Sequence, residues 1–391
     1  MQNRSITRRG FVAGATALVA APAIVRHARG ADPFKLGLFY AASGPAALFG
    51  PTQKASAELA VEQINKSGGI MGRQIQLFLA DAGGPPAEST KTAVRLMLNE
   101  KCDAFIGSHD SATREALVAT IRARIPYIYT PIYEGGECAP NTYVLADTPD
   151  QQVRPSIELL TKEKGVKSVY LIGNDYVWPR KTNDRVKQYL TAGGGKVIGE
   201  EYVPLGAPNK FEEAVTRIKG AKPDAVVVTL VGADNVNFNR TFAGFGLDKD
   251  ILRASMLLEE NTLLGIGAEN SKQLYNCMSY FSTVPGAAHD EFKAAYKAKF
   301  GEKAPQLSII GVDCYAGVYC AKALVEKAKG TDASALMAAS EGLEIRTATG
   351  PVTMRNRHPD KPMYLAECEA TTFKIIKTFE GVKSGETCKQ A

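Results

Sequence analysis

The sequence predicts an α/β chain of two lobes, each a parallel sheet covered by helices. Three observations predict it. Short runs rich in Val, Ile, Leu and aromatic residues alternate with segments of helical periodicity, the pattern of strands buried on both faces. The runs fall into two series that part near Asp147-Thr148-Pro149. The chain is also longer than a single hydrophobic core usually supports.

The first series of strands is predicted at 35–40, 75–80, 103–106 and 127–129, and the second at 168–172, 196–203 and 224–230. Between them lie helices. Ala57, Ala60, Val61 and Ile64 recur at i, i+3, i+4, i+7, as do Phe211, Ala214, Val215 and Ile218, which places each set on one helical face. A helical stretch opening toward Leu160 reads as a crossing between lobes. The last third carries helices over 288–300 and 308–329 and strands at 351–354, 363–369 and 373–379, which return to complete both lobes. The expected organisation is 31–148 plus about 282–350 in one lobe and 149–281 plus about 351–391 in the other.

Residues 1–30 read as an export signal. Thr7-Arg8-Arg9-Gly10-Phe11 precedes a short alanine-rich apolar stretch and a small-residue site at Ala28-Arg29-Gly30-Ala31, the layout of a twin-arginine address. The stretch is shorter than the ~20 residues of a membrane span. This segment holds five arginines and no acid, so the remainder carries 42 basic against 41 acidic residues. No clustered basic excess is left for nucleic acid. The expected location is the periplasm. None of the seven cysteines forms a C-x-x-C pair. One or two disulfides are expected, with the pairing open and at least one thiol left over.

One pattern closes three strands: Phe105-Ile106-Gly107-Ser108-His109-Asp110, Leu171-Ile172-Gly173-Asn174-Asp175 and Leu230-Val231-Gly232-Ala233-Asp234. Open α/β sheets bind ligands beyond the carboxyl ends of their strands. Free N–H groups and small polar side chains there can hold a carbonyl or carboxylate. An ordinary N-cap explains any one of these turns; three together, drawn from both series, predict a shared cleft. Tyr129, Pro131 and Tyr133 close another strand, and Tyr176 and Trp178 follow the second turn. Such amphipathic rings suit a pocket for a small polar solute. Nucleophile-elbow, zincin, Walker A and dinucleotide fingerprints are missing, so the chain is expected not to be an enzyme and to need no metal or cofactor. His289 and His358 read as surface residues.

Several segments together resemble the type I periplasmic solute-binding proteins of ABC importers, in the leucine/isoleucine/valine-binding class. They are residues 36–40 with Ser43-Gly44-Pro45, Ala60-Val61-Glu62-Gln63-Ile64-Asn65 and Gly68-Gly69-Ile70-Met71-Gly72-Arg73. Tyr133-Glu134-Gly135, Gly173-Asn174-Asp175-Tyr176, Pro179-Arg180 and Val203-Pro204-Leu205-Gly206 look closest to the branch that binds urea and short-chain amides. The resemblance implies two Rossmann-like lobes joined by a three-strand hinge, with solute bound between them and delivered to an inner-membrane permease. It implies a ligand loop at Ser43 and, in the amide branch, a site at Ser111, Tyr129, Pro131 and Tyr176. In the amino-acid branch it implies Ser108 and Ser111 at the carboxylate and one of Asp234, Glu259 or Glu260 at the ammonium. The chain departs from the amide pattern at His109 and at the bulky Trp178. The expected partners are a small solute (branched-chain amino acid, urea or amide) and the permease, with the chain a monomer and a dimer as the alternative. An exported ligand-sensing module is the alternative function.

Overall fold

A computed structural model describes residues 32–391 apart from 208–210, 387 and 389–391; the predicted export signal lies outside the described residues. The chain opens with β1 (Phe34–Tyr40), α1 (Gly50–Lys66), β2 (Ile75–Asp81), α2 (Pro86–Leu98), β3 (Ala104–Ser108), α3 (Ser111–Ile121), β4 (Tyr127–Tyr129) and β5 (Thr142–Val144). These five strands form one all-parallel sheet in the order β2-β1-β3-β4-β5. Every residue of β3 and β4 is buried, as strands covered on both faces require.

The second half repeats the plan. It runs α4 (Val153–Glu158), β6 (Ser168–Asn174), α5 (Val177–Ala192), β7 (Lys196–Val203), α6 (Glu212–Ala221) and β8 (Ala225–Thr229). Then come α7 (Ala233–Gly244), β9 (Leu252–Ser255), α8 (Glu260–Ile266) and β10 (Leu274–Met278). Strands β7-β6-β8-β9-β10 are parallel neighbours. The Ala-Val-Val-Val-Thr run of β8 is wholly buried at the centre of this sheet. The chain is thus α/β, with parallel sheets in two lobes.

The remaining elements are α9 (Ala287–Phe300), α10 (Ile309–Ala328), α11 (Ala333–Ser340), β11 (Leu343–Thr347), β12 (Gly350–Arg355), β13 (His358–Glu369) and β14 (Thr372–Val382). The chain crosses between sheets three times. The first crossing follows β5 and leads to α4, which packs on β10. The second follows β10 and leads to α9 and α10, which pack on α1 of the first sheet. The third is β13 itself. Its start pairs with β12 beside β5, and its later residues pair antiparallel with β10 and β14. Helix α10 is apolar on most of its circumference and fourteen of its residues are buried, because it is wedged between α1, β3 and β11.

The structure corrects the reading of two histidines. His289 and His358 are fully buried. His289 shares a hydrogen bond with the Tyr280 hydroxyl at 3.0 Å and has the Val284 carbonyl at its other nitrogen. His358 meets the Tyr133 hydroxyl and the Asn356 carbonyl. Each ring is satisfied on both nitrogens, which allows a neutral imidazole to be buried. Burial pulls the His358 pKa down to about 4. Cys138 and Cys388 form a disulfide, and the other five cysteines are buried thiols.

Candidate functional site

A cavity of about 440 Å³ opens at the carboxyl ends of strands from both sheets, within the range of small-molecule sites. From the first lobe it is lined by Pro45, Phe49 and Gln53 after β1, by Ser108, His109, Asp110, Ser111 and Ala112 after β3, by Tyr129, Pro131 and Ile132 around β4, and by Ile310 of α10. From the second lobe come Tyr176 and Trp178 after β6, Leu205 and Gly206 after β7, Val231 after β8 and Leu257 after β9.

Seven of the twelve residues expected at the site therefore line one cavity: Ser108, His109, Ser111, Tyr129, Pro131, Tyr176 and Trp178. The other five stand elsewhere. Ser43 donates to Asp81 Oδ2 at 2.6 Å and fixes the loop after β1 against the end of β2. Tyr133 is buried, with its hydroxyl on His358. Asp234 accepts from Asn174 Nδ2 at 2.7 Å, and Asn174 Oδ1 accepts from the backbone of Val231 at 2.8 Å, so this set ties the ends of β6 and β8. Glu259 is the N-cap of α8; its carboxylate accepts from the backbone N–H groups of Asn261 and Thr262. Glu260 accepts from the backbone of Ser282 at 2.5 Å. Its other oxygen has no hydrogen-bond partner among the described residues.

The turn after β3 is organised by two carboxylates. Asp110 caps α3, accepting from Thr113 N at 2.9 Å and Thr113 Oγ1 at 2.7 Å, which leaves the backbone N–H groups of Ser111 and Ala112 at the positive helix end. Ser111 Oγ donates to Glu134 Oε2 at 2.7 Å and accepts from Arg114 at 3.2 Å. Arg114 also bonds Glu134 at 2.9 Å and Glu137 at 3.1 Å. Its guanidinium lies 5.2 Å from the Tyr129 ring centre and 5.3 Å from that of Tyr133. Burial opposes the charge on Arg114, but Tyr129 and the two glutamates outweigh burial and raise its pKa. The ion cluster thus lies behind the tyrosine wall and fixes it.

His109 has both ring nitrogens engaged, one with the Tyr127 hydroxyl at 2.9 Å and one with the Asp110 carbonyl at 3.0 Å. Burial lowers its pKa, so it is a neutral wall residue. Tyr129 donates to the His109 carbonyl at 2.7 Å. In the second lobe Trp178 tilts against Tyr176 at 6.3 Å, and its buried indole N–H has no hydrogen-bond partner among the described residues.

Gln53 was invisible to sequence reasoning. It is a single polar residue early in α1, and its only signal is its place on the buried face shared with Ala57, Ala60 and Ile64. Phe49, Leu257 and Ile310 were missed for a similar reason: apolar residues far apart in sequence carry no mark of a shared cavity. Among the described residues no group of His, Cys, Asp and Glu could hold a metal ion.

The lobes meet closely at the cavity rim. Gly232 has φ +56°, and a Cβ there would lie 2.4 Å from the Pro45 carbonyl oxygen; at Gly206, φ +78°, a Cβ would lie 2.8 Å from Pro45 Cγ. Lys181 of α5 also stands 3.5 Å from Glu115 of α3 across the cleft. The arrangement is a box between two lobes that can enclose a small solute.

Known proteins share this plan. The chain is 25% identical to Leu/Ile/Val-binding protein homolog 3 of Brucella melitensis over 324 residues, 81% of this chain and 86% of that protein. It is 25% identical to a Leu/Ile/Val-binding protein of Rhizobium johnstonii over 334 residues, again 81% and 86%. The fold matches a solute-binding protein of an ABC transporter from Rhodopseudomonas palustris in complex with 3,4-dihydroxybenzoic acid, with TM-score 0.79, 24% identity and coverage of 91% and 99%. It also matches a branched-chain amino acid transporter substrate-binding protein of Streptococcus pneumoniae in complex with isoleucine, with TM-score 0.78, 22% identity and coverage of 89% and 100%. These relatives lend no support to a urea or amide branch. The periplasmic binding protein family model matches residues 33–372, nearly all of both lobes, and the chain belongs to that family of binding proteins, which are not enzymes.

Proposed function

We propose that this chain is the extracytoplasmic substrate-binding component of an ABC importer. It captures a small carboxylate with an aromatic or branched apolar body between its lobes and delivers it to an inner-membrane permease. Its lobes comprise 31–148 with about 282–350 and 149–281 with about 351–391. Residues 1–30 direct export by the twin-arginine route, and the chain works as a monomer.

The observation that carries the ligand class is the asymmetry of the cavity wall. Phe49, Tyr129, Ile132, Tyr176, Trp178, Val231, Leu257 and Ile310 give it an apolar and aromatic lining. The anion-favouring end of α3 enters from the first lobe. None of Asp234, Glu259 and Glu260 is in the lining, and the carboxylate that is, Asp110 of the first lobe, has both oxygens committed to Thr113, so an amino-acid ammonium would lack the opposing second-lobe acid that burial demands. That favours a carboxylic acid without an amine over an amino acid. The 3,4-dihydroxybenzoic acid held by one structural relative and the isoleucine held by another both carry the carboxylate this reading requires. Urea and acetamide are the competing solutes implied by Tyr133-Glu134-Gly135 and Tyr176, but they would leave much of the cavity unfilled.

A thermal-shift panel of benzoate, 4-hydroxybenzoate, isoleucine, urea and acetamide tests the proposal. A ligand that binds only the folded chain raises its melting temperature. The benzoates should raise it most. A shift with urea or acetamide alone would overturn the carboxylate reading.

A further inference from the structure

A smaller cavity, of about 20 Å³, lies among the interlobe crossings. Its wall includes Ser279 and Tyr280 of the second crossing, Lys361 of the third, Thr347 and Thr349 of the β11–β12 turn, and Asp313 of α10. It has room for about one water. Asp313 is buried, and its Oδ2 has no hydrogen-bond partner among the described residues. A carboxylate so placed lacks the solvent and the hydrogen bonds that its charge demands. The neighbouring cation is already engaged: Lys361 Nζ bonds Asp147 Oδ1 at 2.9 Å and Ser279 Oγ at 3.3 Å. The charges that act on Asp313 are Lys361 and, beyond it, Asp147 of the first crossing. Tyr280 has its hydroxyl on His289, the adjacent Cys314 turns its thiol to the Ile310 carbonyl, the β11–β12 turn offers hydroxyls, and α1 presents Thr52 to Gly311. With Asp313 ionised the cluster holds two acids against one base; with it protonated the charges cancel. Burial pushes the Asp313 carboxyl from 3.8 up to about 7, against the pull of Lys361 and with the help of Asp147.

We propose that Asp313 is a proton-operated lock on the hinge: its neutral form keeps the three crossings in the bend that holds the lobes together, and its ionised form favours their parting. Bending the crossings moves Ser279 and Lys361 against α10, which opens the small cavity and lets water reach the carboxylate. The proton is therefore held more tightly with the lobes together than apart. Its contribution to closure is full at low pH and is lost as pH rises through about 7. Solute affinity falls with it, because closure and binding are linked. The inference rests on the solute being enclosed between the lobes, as proposed above.

Calorimetric titration with benzoate, which stays ionised across the range, tests it. Wild type should bind at least about fivefold more weakly at about pH 8.5 than at about pH 6, the low end of couplings between sites. Asp313→Asn keeps the shape and cannot ionise, so it should bind as wild type does at the lower pH and hold that affinity at the higher. Glu260 also titrates toward about 8, so Glu260→Gln is the control, and it should keep the wild-type loss. An affinity that does not change with pH in wild type, or that falls equally in Asp313→Asn, overturns the proposal. Small-angle X-ray scattering of the ligand-free protein needs no solute. The wild-type radius of gyration should grow between the same two pH values and that of Asp313→Asn should not. If benzoate does not bind wild type, the ligand class fails while the scattering still decides the lock: growth confined to proteins with Asp313 supports it, and equal radii overturn it.

Discussion

Lys361 Nζ lies 2.9 Å from Asp147 Oδ1, and both side chains are buried where the first and third interlobe crossings run side by side. The second crossing joins them: Ser279 donates its backbone N–H to Asp147 Oδ2 at 2.8 Å, and Lys361 Nζ reaches Ser279 Oγ at 3.3 Å. One ion pair thus ties all three crossings. Burial opposes the Lys361 charge, while Asp147 and the nearby Asp313 raise its pKa overall. Removing one partner of a buried pair strands the other, at a cost of about 3–5 kcal/mol. Lys361→Met should lose that much stability in urea denaturation. The double variant Lys361→Met with Asp147→Asn should regain most of it, because Asn keeps an acceptor for Ser279 N. A double variant no more stable than the single one would mean that Lys361 acts through packing alone.

Glu260 carries a pH dependence. Burial, with the Glu259 charge second, pushes its pKa from 4.5 up to about 8. A carboxyl whose folded pKa is raised holds its proton more tightly in the folded than in the unfolded chain. Its contribution is therefore favourable at low pH and is lost as pH rises from about 4.5 to about 8. Glu260→Gln cannot ionise and keeps an acceptor for Ser282 N. Its stability relative to wild type should rise across that window, by an amount on the order of 4 kcal/mol. Urea midpoints taken at intervals between pH 4.5 and 8.5 check this; a flat difference would show that Glu260 is ionised at no cost.

What could be read from sequence follows the strength of the local signal. Strands such as β8, a run of Ala-Val-Val-Val-Thr buried on both faces, announce themselves. Strands β5, β9, β10 and β11 do not. β5 has three residues, and β9 contains Arg253, whose buried guanidinium donates to Asn239 at 2.6 Å and to the carbonyls of Asn270 and Lys272, 17 and 19 residues on, while its Nε has no hydrogen-bond partner among the described residues. The glycine-polar turn after β3 was legible because strand ends in parallel sheets are where ligands bind. The commitments of individual polar groups were not. Nothing local to Glu259 distinguishes a helix cap from a ligand contact, and nothing local to His358 reveals Tyr133, 225 residues away. Those assignments are made by tertiary contacts alone.

The Cys138–Cys388 bond closes a loop across a sequence separation of 250. It joins the segment after β4 to the tail that follows β14. The tail is also held without it. Thr148 Oγ1 donates to the Ser384 carbonyl at 2.6 Å, and Gly136 N donates to Glu386 at 3.1 Å. Chain-entropy arguments for so long a loop give up to about 5 kcal/mol, and measured values fall at about 2–4 kcal/mol. Cys388→Ser should lower stability within that measured range, and reductant should lower wild type to the same midpoint while leaving the variant unmoved. Equal midpoints with and without reductant in the wild type would remove the bond from the stability account.

Gly232 and Gly206 both press their backbones against Pro45 of the opposite lobe. At Gly232 the obstacle is a carbonyl oxygen, 2.4 Å from where a Cβ would sit, and the backbone has a left-handed φ of +56°. A carbonyl held by the loop after β1 cannot swing aside as a flexible side chain would. An alanine here meets two costs, the collision and a backbone conformation, φ +56° with ψ −123°, that costs an L side chain on the order of 1–3 kcal/mol. The collision exists only when the lobes are together; the backbone cost persists when they part. Gly232→Ala should therefore weaken solute binding by at least tenfold while lowering the melting temperature of the ligand-free protein by only a few degrees, as expected for a loss of closure. Titration calorimetry against a solute that binds wild type, paired with a thermal melt, separates the two. Unchanged affinity in a folded Gly232→Ala protein would show that solute is held with the lobes further apart at this contact.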